Sequence, residues 1–193
     1  GTLGIAYNTR FVKEAPKTWQ DLMKPAFKGA FGIANPALSG TAYVSVAMLE
    51  QAFGWEFFQK LKGNGAKMGK GSGQVVDDTA SGELVASLAV DYITNDKIEK
   101  GATLALVYPP EMLVIPSPVT IFKGTPNLDA AKKFVDFLLS KPGQEIIAQE
   151  GTLPVRPDVK VPAKFKLPTP EDAVKRGIKV DYPKMSAVKE ESI

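Results

Sequence analysis

Apolar and polar positions alternate at the start of the chain, where Leu3, Ile5 and Tyr7 stand between smaller or polar neighbours in GTLGIAYN, and this predicts a strand. In PKTWQDLMKPAF, residues 16–27, the period changes: Trp19, Leu22 and Met23 share a face, Thr18 and Asp21 have capping-box spacing, and Pro25 ends a short helix. KGAFGIA, residues 28–34, reads as a small strand leading into NPALSGTAYVSVAMLEQAFG, the stretch around which the chain is organised. There Pro36 stops the extended segment, Ser39 stands at an N-cap position, and Val44, Ala47, Met48 and Ala52 recur at helical spacing up to Gly54, a C′ glycine. A compact helix follows in WEFFQKLKGNG, with Trp55, Phe58 and Leu61 expected in the core. Residues 63–73, GNGAKMGKGSG, read as the most flexible stretch.

Ser72 and Gly73 open another helix, SGQVVDDTASG, closed by Gly82. The nearly continuous apolar run of residues 83–90, ELVASLAV, suits a strand buried on both faces, and YITNDKIEKG then reads as a helix. Residues 102–108 predict another strand, PPEMLVIPSP an extended crossing that its prolines keep from being helical, and VTIFKG a further strand. Residues 128–140 form an amphipathic helix with Ala131, Phe134, Val135 and Leu138 inward and Lys132, Lys133 and Asp136 outward. Pro142 starts one more helix, which stops at Gly151. The Pro- and Lys-rich remainder, residues 152–193, is expected to wrap a surface and to end in a disordered SAVKEESI.

Composition removes more functions than it adds. The chain has no cysteine and no histidine, so thiolate zinc sites, disulfides, Cys nucleophiles and Ser-His-Asp triads are excluded. A metal would have to sit on carboxylate, carbonyl and tyrosine oxygens, which suit hard ions. Twenty-four Lys and Arg against 21 Asp and Glu give a net charge of +3, too small and too dispersed to argue for nucleic acid. No apolar run is long enough to span a membrane, and no signal-like segment opens the chain, which is expected to begin after any export signal.

The candidate chemistry gathers at helix starts. Helix N-termini offer unpaired N–H groups and partial positive charge, and Ser39, Gly40 and Thr41 put two hydroxyls and a bare backbone beside one of them. Ser72 either presents a second N-terminus to the same anion or caps a helix in a solvent loop. The glycine-rich stretch is not a nucleotide P-loop, because Gly65 to Gly69 is one residue short and Gly71 follows Lys70 where Ser or Thr is required. Asp91 and Tyr92 end the buried strand, where open α/β sheets bind ligands; Asp91 is equally suited to cap the following helix. Asn8, at the end of the first strand, and Glu111, in the crossing, complete the candidate ligand-binding set. The alternatives are a small enzyme acting on phosphate esters, with Asp91 or Glu111 as base and Ser39 as nucleophile but no evident partner that would tune either, and a stand-alone interaction lobe without transport role.

The order of these pieces resembles the periplasmic solute-binding proteins of bacterial ABC importers, most of all the cluster that includes the ferric-ion-binding proteins. The resemblance runs from GIAYNT through TWQDLMKPAFKG, NPALSGTAY, SGELVASLAVDY and VYPPE to AKKFVDFLLSKPGQEIIAQEG and LPVRPDV. It implies an α/β fold of the type 2 periplasmic-binding kind, with two lobes that close on a ligand. On that template residues 1–8 are a hinge strand, 9–108 the second lobe, 109–116 the return crossing, and 117–193 a partial first lobe with a tail. Closure is expected near Asn8 and Pro109. A first half lobe of about a hundred residues is expected upstream of Gly1.

In iron-binding relatives the Ser and Gly matching Ser39 and Gly40 help hold an oxyanion that partners the metal. Their tandem Tyr-Tyr iron ligands follow a Gly-Glu strand, and matching it to Gly82-Glu83 puts Tyr92 on the first tyrosine, Ile93 on the second and Asp91 on the preceding Asn. One ligand is therefore lost. The resemblance implies a non-enzymatic, periplasmic or extracytoplasmic binding protein that serves an ABC permease. Its cargo is either an organic anion such as a phosphonate, sugar phosphate or carboxylate, or ferric ion held by Tyr92 and Asp91; the organic anion is preferred. No resident cofactor is expected. The incomplete lobe is expected to pair with a separate N-terminal fragment or to self-associate by exchanging elements.

Overall fold

The computed structural model describes residues 1–190. Six strands, β1 (Thr2–Asn8), β2 (Phe31–Ala34), β3 (Lys67–Gly69), β4 (Ala86–Val90), β5 (Leu104–Val107) and β6 (Leu113–Val114), form one sheet. Its order is β3-β2-β4-β1-β5, with β6 also paired to β1. β2 is parallel to β3 and to β4, as helical crossovers require, whereas β1 is antiparallel to β4, β5 and β6. The carboxyl ends of β2, β3 and β4 therefore share one edge. Because β1 runs the other way, Thr2 lies at that edge and Asn8 at the opposite one.

Each parallel strand opens into a helix at the shared edge. β2 leads to α1 (Gly40–Phe53), which continues through Gly54 into α2 (Trp55–Gly63); β3 leads to α3 (Ser72–Ser81), and β4 to α4 (Asp91–Glu99). One sheet face carries Leu3, Ile5, Leu88 and Val90 against Trp19, Leu22, Met48, Leu49, Phe57 and Leu61. The other carries Ala6, Ala89 and Leu104 against Val76 of α3. All of β4 is buried, as its unbroken apolar run requires of a strand covered on both faces.

Several expectations shift in detail. Residues 16–27 form two 3₁₀ turns, Trp19–Met23 and Pro25–Phe27, since Pro25 cuts the segment too short for an α-helix. The capping box is real: Asp21 N donates to Thr18 Oγ1 (3.2 Å) while Thr18 N donates to Asp21 Oδ2 (3.1 Å). Of the expected stripe in α1, Met48 is buried, Val44 and Ala47 are half-buried and Ala52 is exposed; Ala42, Tyr43, Ser45, Val46 and Leu49 are buried as well, because the helix packs on the sheet and under the C-terminal tail. In α2 it is Phe57 that enters the core, and Trp55 stays 45% exposed.

The Asp21 carboxyl is held down at about 2, first by the Lys17 amide and next by the Lys24 ammonium. A depressed carboxyl stabilises the fold above its unfolded value and loses that contribution as pH falls toward its folded value. The near-UV circular dichroism of Trp19, next to the cap, is expected to hold down to about pH 4 and to weaken between pH 4 and 2. In Asp21→Asn that acid change should be absent.

VTIFKG is not a strand: residues 115–122 are irregular, with Phe122 83% exposed, because no neighbouring strand is available to pair with it. The chain continues into α5 (Leu128–Leu139) and α6 (Lys141–Gln149), a hairpin packed on itself. α5 is amphipathic as expected, yet none of its residues is buried, and Phe134 and Phe137 lie open beside Ile146 of α6.

The tail does wrap a surface, but that of the sheet domain. α7 (Pro170–Arg176) ends where Ile178 N donates to Met112 O (2.9 Å), Ile178 and Val180 pack on the main core, and Tyr43 donates its hydroxyl to Met185 O in α8 (Tyr182–Ala187). Residues 176–188 thus belong with the lobe expected over 9–108, and Ser186 and Ala187 are helical rather than disordered. Residues 191–193 lie outside the described residues. Among the described residues, no helix is long and apolar enough to cross a membrane.

Candidate functional site

Three helices point their N-termini at the carboxyl edge of the parallel strands, and the first two meet there. Asn35 begins the turn, its Oδ1 accepting from Ala37 N (2.9 Å), and Ser39 caps α1 by accepting from Ala42 N (3.2 Å). The first helical bond of α1 is Tyr43 N to Ser39 O (2.9 Å), so the amides of Gly40 and Thr41 have no carbonyl behind them in the helix. A side chain on Gly40 would meet nothing within 4 Å, which leaves this turn of backbone open to approach.

Ser72 does not serve as a cap. The N-cap of α3 is Gly71, and the turn is closed instead by Gln74, whose Oε1 accepts from Lys70 N (2.9 Å). The Ser72 hydroxyl lies 3.4 Å from that of Ser39, so two residues 33 apart in sequence join two helix N-termini. Lys70, exposed just before α3, adds a cation to this edge. Ser39, Gly40, Thr41 and Ser72 thus form a group whose hydroxyls, free amides and helix dipoles all favour an anion.

Tyr92 stands in the first turn of α4 at the same edge, 49% exposed. Asp91 behind it does not face the edge. Its side chain is fully buried, and its carboxylate accepts from Thr2 N (2.8 Å), Thr2 Oγ1 (2.9 Å), Thr152 Oγ1 (2.8 Å) and Tyr92 N (2.7 Å). Nor is it the N-cap, which is Val90. Asp91 is therefore corrected from ligand or metal donor to internal anchor, because it is fully buried behind the edge and already accepts four hydrogen bonds from within the chain. Tyr108, which lies across Gly4, bonds the Thr2 hydroxyl (2.9 Å); its phenol is pushed well above the usual range by burial and then by the Asp91 charge, so it stays protonated.

Asn8 is a second correction. It is 1% exposed at the far edge, where its Nδ2 donates to Thr79 O (2.9 Å) and Ala80 O (3.3 Å) and so ties down the end of α3. Its place follows from the reversed direction of β1. β1, expected as a hinge strand, lies inside the sheet, and beyond it Gly1 and Ile115 pair, Ile115 N donating to Gly1 O (2.8 Å). Glu111 lies in the excursion between β5 and β6, where its carbonyl accepts from Trp19 Nε1 (2.9 Å). Among the described residues no group of three Asp or Glu could hold a metal ion. Of the two ligands expected for ferric ion, Tyr92 is exposed at the edge and Asp91 is buried behind it.

Residues 1–184 match the bacterial extracellular solute-binding protein family along nearly the whole chain. The chain belongs to this family. Its sheet and flanking helices superpose on the periplasmic binding protein AfuA of Actinobacillus pleuropneumoniae, solved with fructose-6-phosphate bound, with a TM-score of 0.77 and 30% identity, over 100% of this chain and 64% of that one. The phosphoglycerate transport regulatory protein PgtC of Salmonella typhimurium is 32% identical over 148 residues, 74% of this chain and 37% of that protein. Iron-bound HitA of Pseudomonas aeruginosa shares the fold, with a TM-score of 0.62 at 21% identity, over 99% of this chain and 66% of that one. The chain spans about half or less of the curated relatives it matches, 46% of a Haemophilus influenzae protein that is 37% identical to it. The family accounts for the α/β class, the type 2 periplasmic-binding topology and the extracellular or periplasmic setting of its members.

Missed by the sequence reading were Thr2, Tyr108 and Thr152, whose partners are 61 to 106 residues away. Local pattern carries no signal for them.

Proposed function

We propose that the chain is part of an extracytoplasmic solute-binding component of an ABC importer, and that it takes a small organic anion by its phosphate or phosphonate group. The observation that carries this reading is the meeting of Ser39 and Ser72 at 3.4 Å between the N-termini of α1 and α3. A tetrahedral dianion accepts from several donors at once, and this edge offers two hydroxyls, first-turn amides and the Lys70 charge without a competing free carboxylate on Asp91. Tyr92 is suited to pack against the body of the solute. AfuA was solved with fructose-6-phosphate bound and PgtC is named for phosphoglycerate transport, which supports the same class.

Ferric ion is the second reading, supported by the folds shared with iron-bound HitA and with the ferric binding protein of Campylobacter jejuni. Within this chain Tyr92 is the hard-oxygen donor at the edge that would serve it. A visible tyrosinate absorption after adding ferric citrate would favour it. Catalysis fits less well still: of its two candidate bases, Asp91 is buried under four donors, which leaves only Glu111. A permease partner is part of the proposal, as is cover for the open apolar face of α5 and α6 by a separate N-terminal fragment or by exchange with a second copy.

Ser39→Ala tests the site. Loss of a hydroxyl bonded to a phosphate oxygen is expected to weaken fructose 6-phosphate binding about tenfold or more, read by calorimetry. Ser39→Thr, which keeps cap and hydroxyl, should stay within a few-fold of wild type. Equal affinity in wild type and Ser39→Ala would remove α1 from the site.

A further inference from the structure

The α5–α6 hairpin is joined to the sheet domain by an outgoing connection through Ile115 and a return through Gly151 and Thr152, and both are held at one place. Ile115 N donates to Gly1 O (2.8 Å) and Gly1 N to Ile115 O (2.6 Å), which ties the outgoing connection to the start of β1. The next residue, Thr2, gives both its amide and its hydroxyl to Asp91 Oδ2. The return connection gives its Thr152 hydroxyl to the same oxygen (2.8 Å), and the preceding carbonyl, Gly151 O, accepts from Asn95 Nδ2 (2.8 Å) one turn along α4. A side chain on Gly1 would come within 3.0 Å of Asp91 Oδ1 and 3.2 Å of Thr152 Oγ1, so the knot leaves no room for one there.

We propose that Asp91 is a positioning residue that fastens both connections of the α5–α6 hairpin to the first turn of α4, and so sets the angle of the hairpin against the sheet domain. A buried carboxylate does this better than apolar packing, because one oxygen accepts three directed bonds and leaving any donor unpaired is costly. The strand pairing of the sheet does not run through it: β1 is paired with β4 and β5 over the rest of its length. The adjacent residue, Tyr92, is half exposed at the candidate site. The knot is therefore one residue from the place a solute would touch, which goes beyond the binding reading and does not depend on it.

Amide hydrogen exchange on the 193-residue chain tests the fastening without any ligand. In Asp91→Asn, whose amide cannot accept from all four donors, exchange at Thr2 and Ile115 is expected to rise together by about tenfold or more while Ala86 and Leu88 of β4 keep their wild-type rates. Thr152→Val, which leaves α4 and the carboxylate untouched, should raise exchange at Thr2 and Ile115 in the same sense but less, and Thr152→Ser should restore the wild-type pattern. Should Asp91→Asn fail to fold, the two Thr152 variants decide alone. Unchanged exchange at Thr2 and Ile115 in Thr152→Val, or a rise spread equally through β4, would overturn the proposal.

Discussion

Ser72→Asp is expected to abolish phosphate binding, with affinity for fructose 6-phosphate falling by about a thousandfold. The new carboxylate would stand where the Ser72 hydroxyl lies 3.4 Å from Ser39, inside the group of donors that the anion needs. Two like charges about 4 Å apart repel by roughly 4 kcal/mol at the effective dielectric of a protein surface, and 1.4 kcal/mol is a factor of ten. Helix stability should not suffer. Ser72 is the first residue of α3, a position where an acidic side chain improves the helix, so far-UV circular dichroism and the thermal midpoint should match or exceed wild type. Calorimetry beside the melt separates the two effects, and retained affinity in Ser72→Asp would remove α3 from the site.

Trp19→Ala is expected to have the largest effect on stability, a loss of about 3–5 kcal/mol in urea unfolding. Trp19 is fully buried and packs where Phe31, Leu49, Phe57 and Leu88 converge, so truncation leaves a large void that such a core cannot close. Its Nε1 also holds the Glu111 carbonyl (2.9 Å), and removing that donor frees the excursion between β5 and β6. Trp55→Ala is the control: Trp55 is 45% exposed, and its loss should cost about 1 kcal/mol or less. If the two substitutions had equal effects, the core assignment of Trp19 would be wrong.

Local signals were readable where local physics decides them. Ser39 capping α1, the Thr18–Asp21 capping box, Gly82 in the left-handed conformation closing α3 and the fully buried β4 all follow from spacing and residue type, and all are present. The choice between Ser72 as cap and Ser72 as site residue needed the sheet, because only the parallel pairing of β2 and β3 sets the two helix starts side by side. Asn8 was misplaced for a related reason. Its polarity at a strand end suggests a ligand contact, yet strand direction decides which edge it reaches, and β1 is reversed against its neighbour β4.

Asp91 shows the limit more sharply. An aspartate after a buried apolar strand reads equally as ligand, cap or anchor, and what settles it are donors from Thr2 and Thr152 on distant parts of the chain. Phe134 marks the opposite limit. Its pattern correctly signals an apolar face, but whether a face is covered depends on what is packed against it, and here Phe134 is 61% exposed.

The central claim is that the edge joining α1 and α3 selects a phosphate group, and it is tested most directly by amide chemical shifts in the nitrogen-15-labelled chain during titration with fructose 6-phosphate and, separately, fructose. The account predicts that the phosphorylated sugar shifts the amides of Gly40, Thr41, Ser72 and Gly73 in a saturable way and that fructose leaves them in place. Equal shifts with both sugars, or saturable binding of the phosphate that leaves those four amides unmoved, would contradict it.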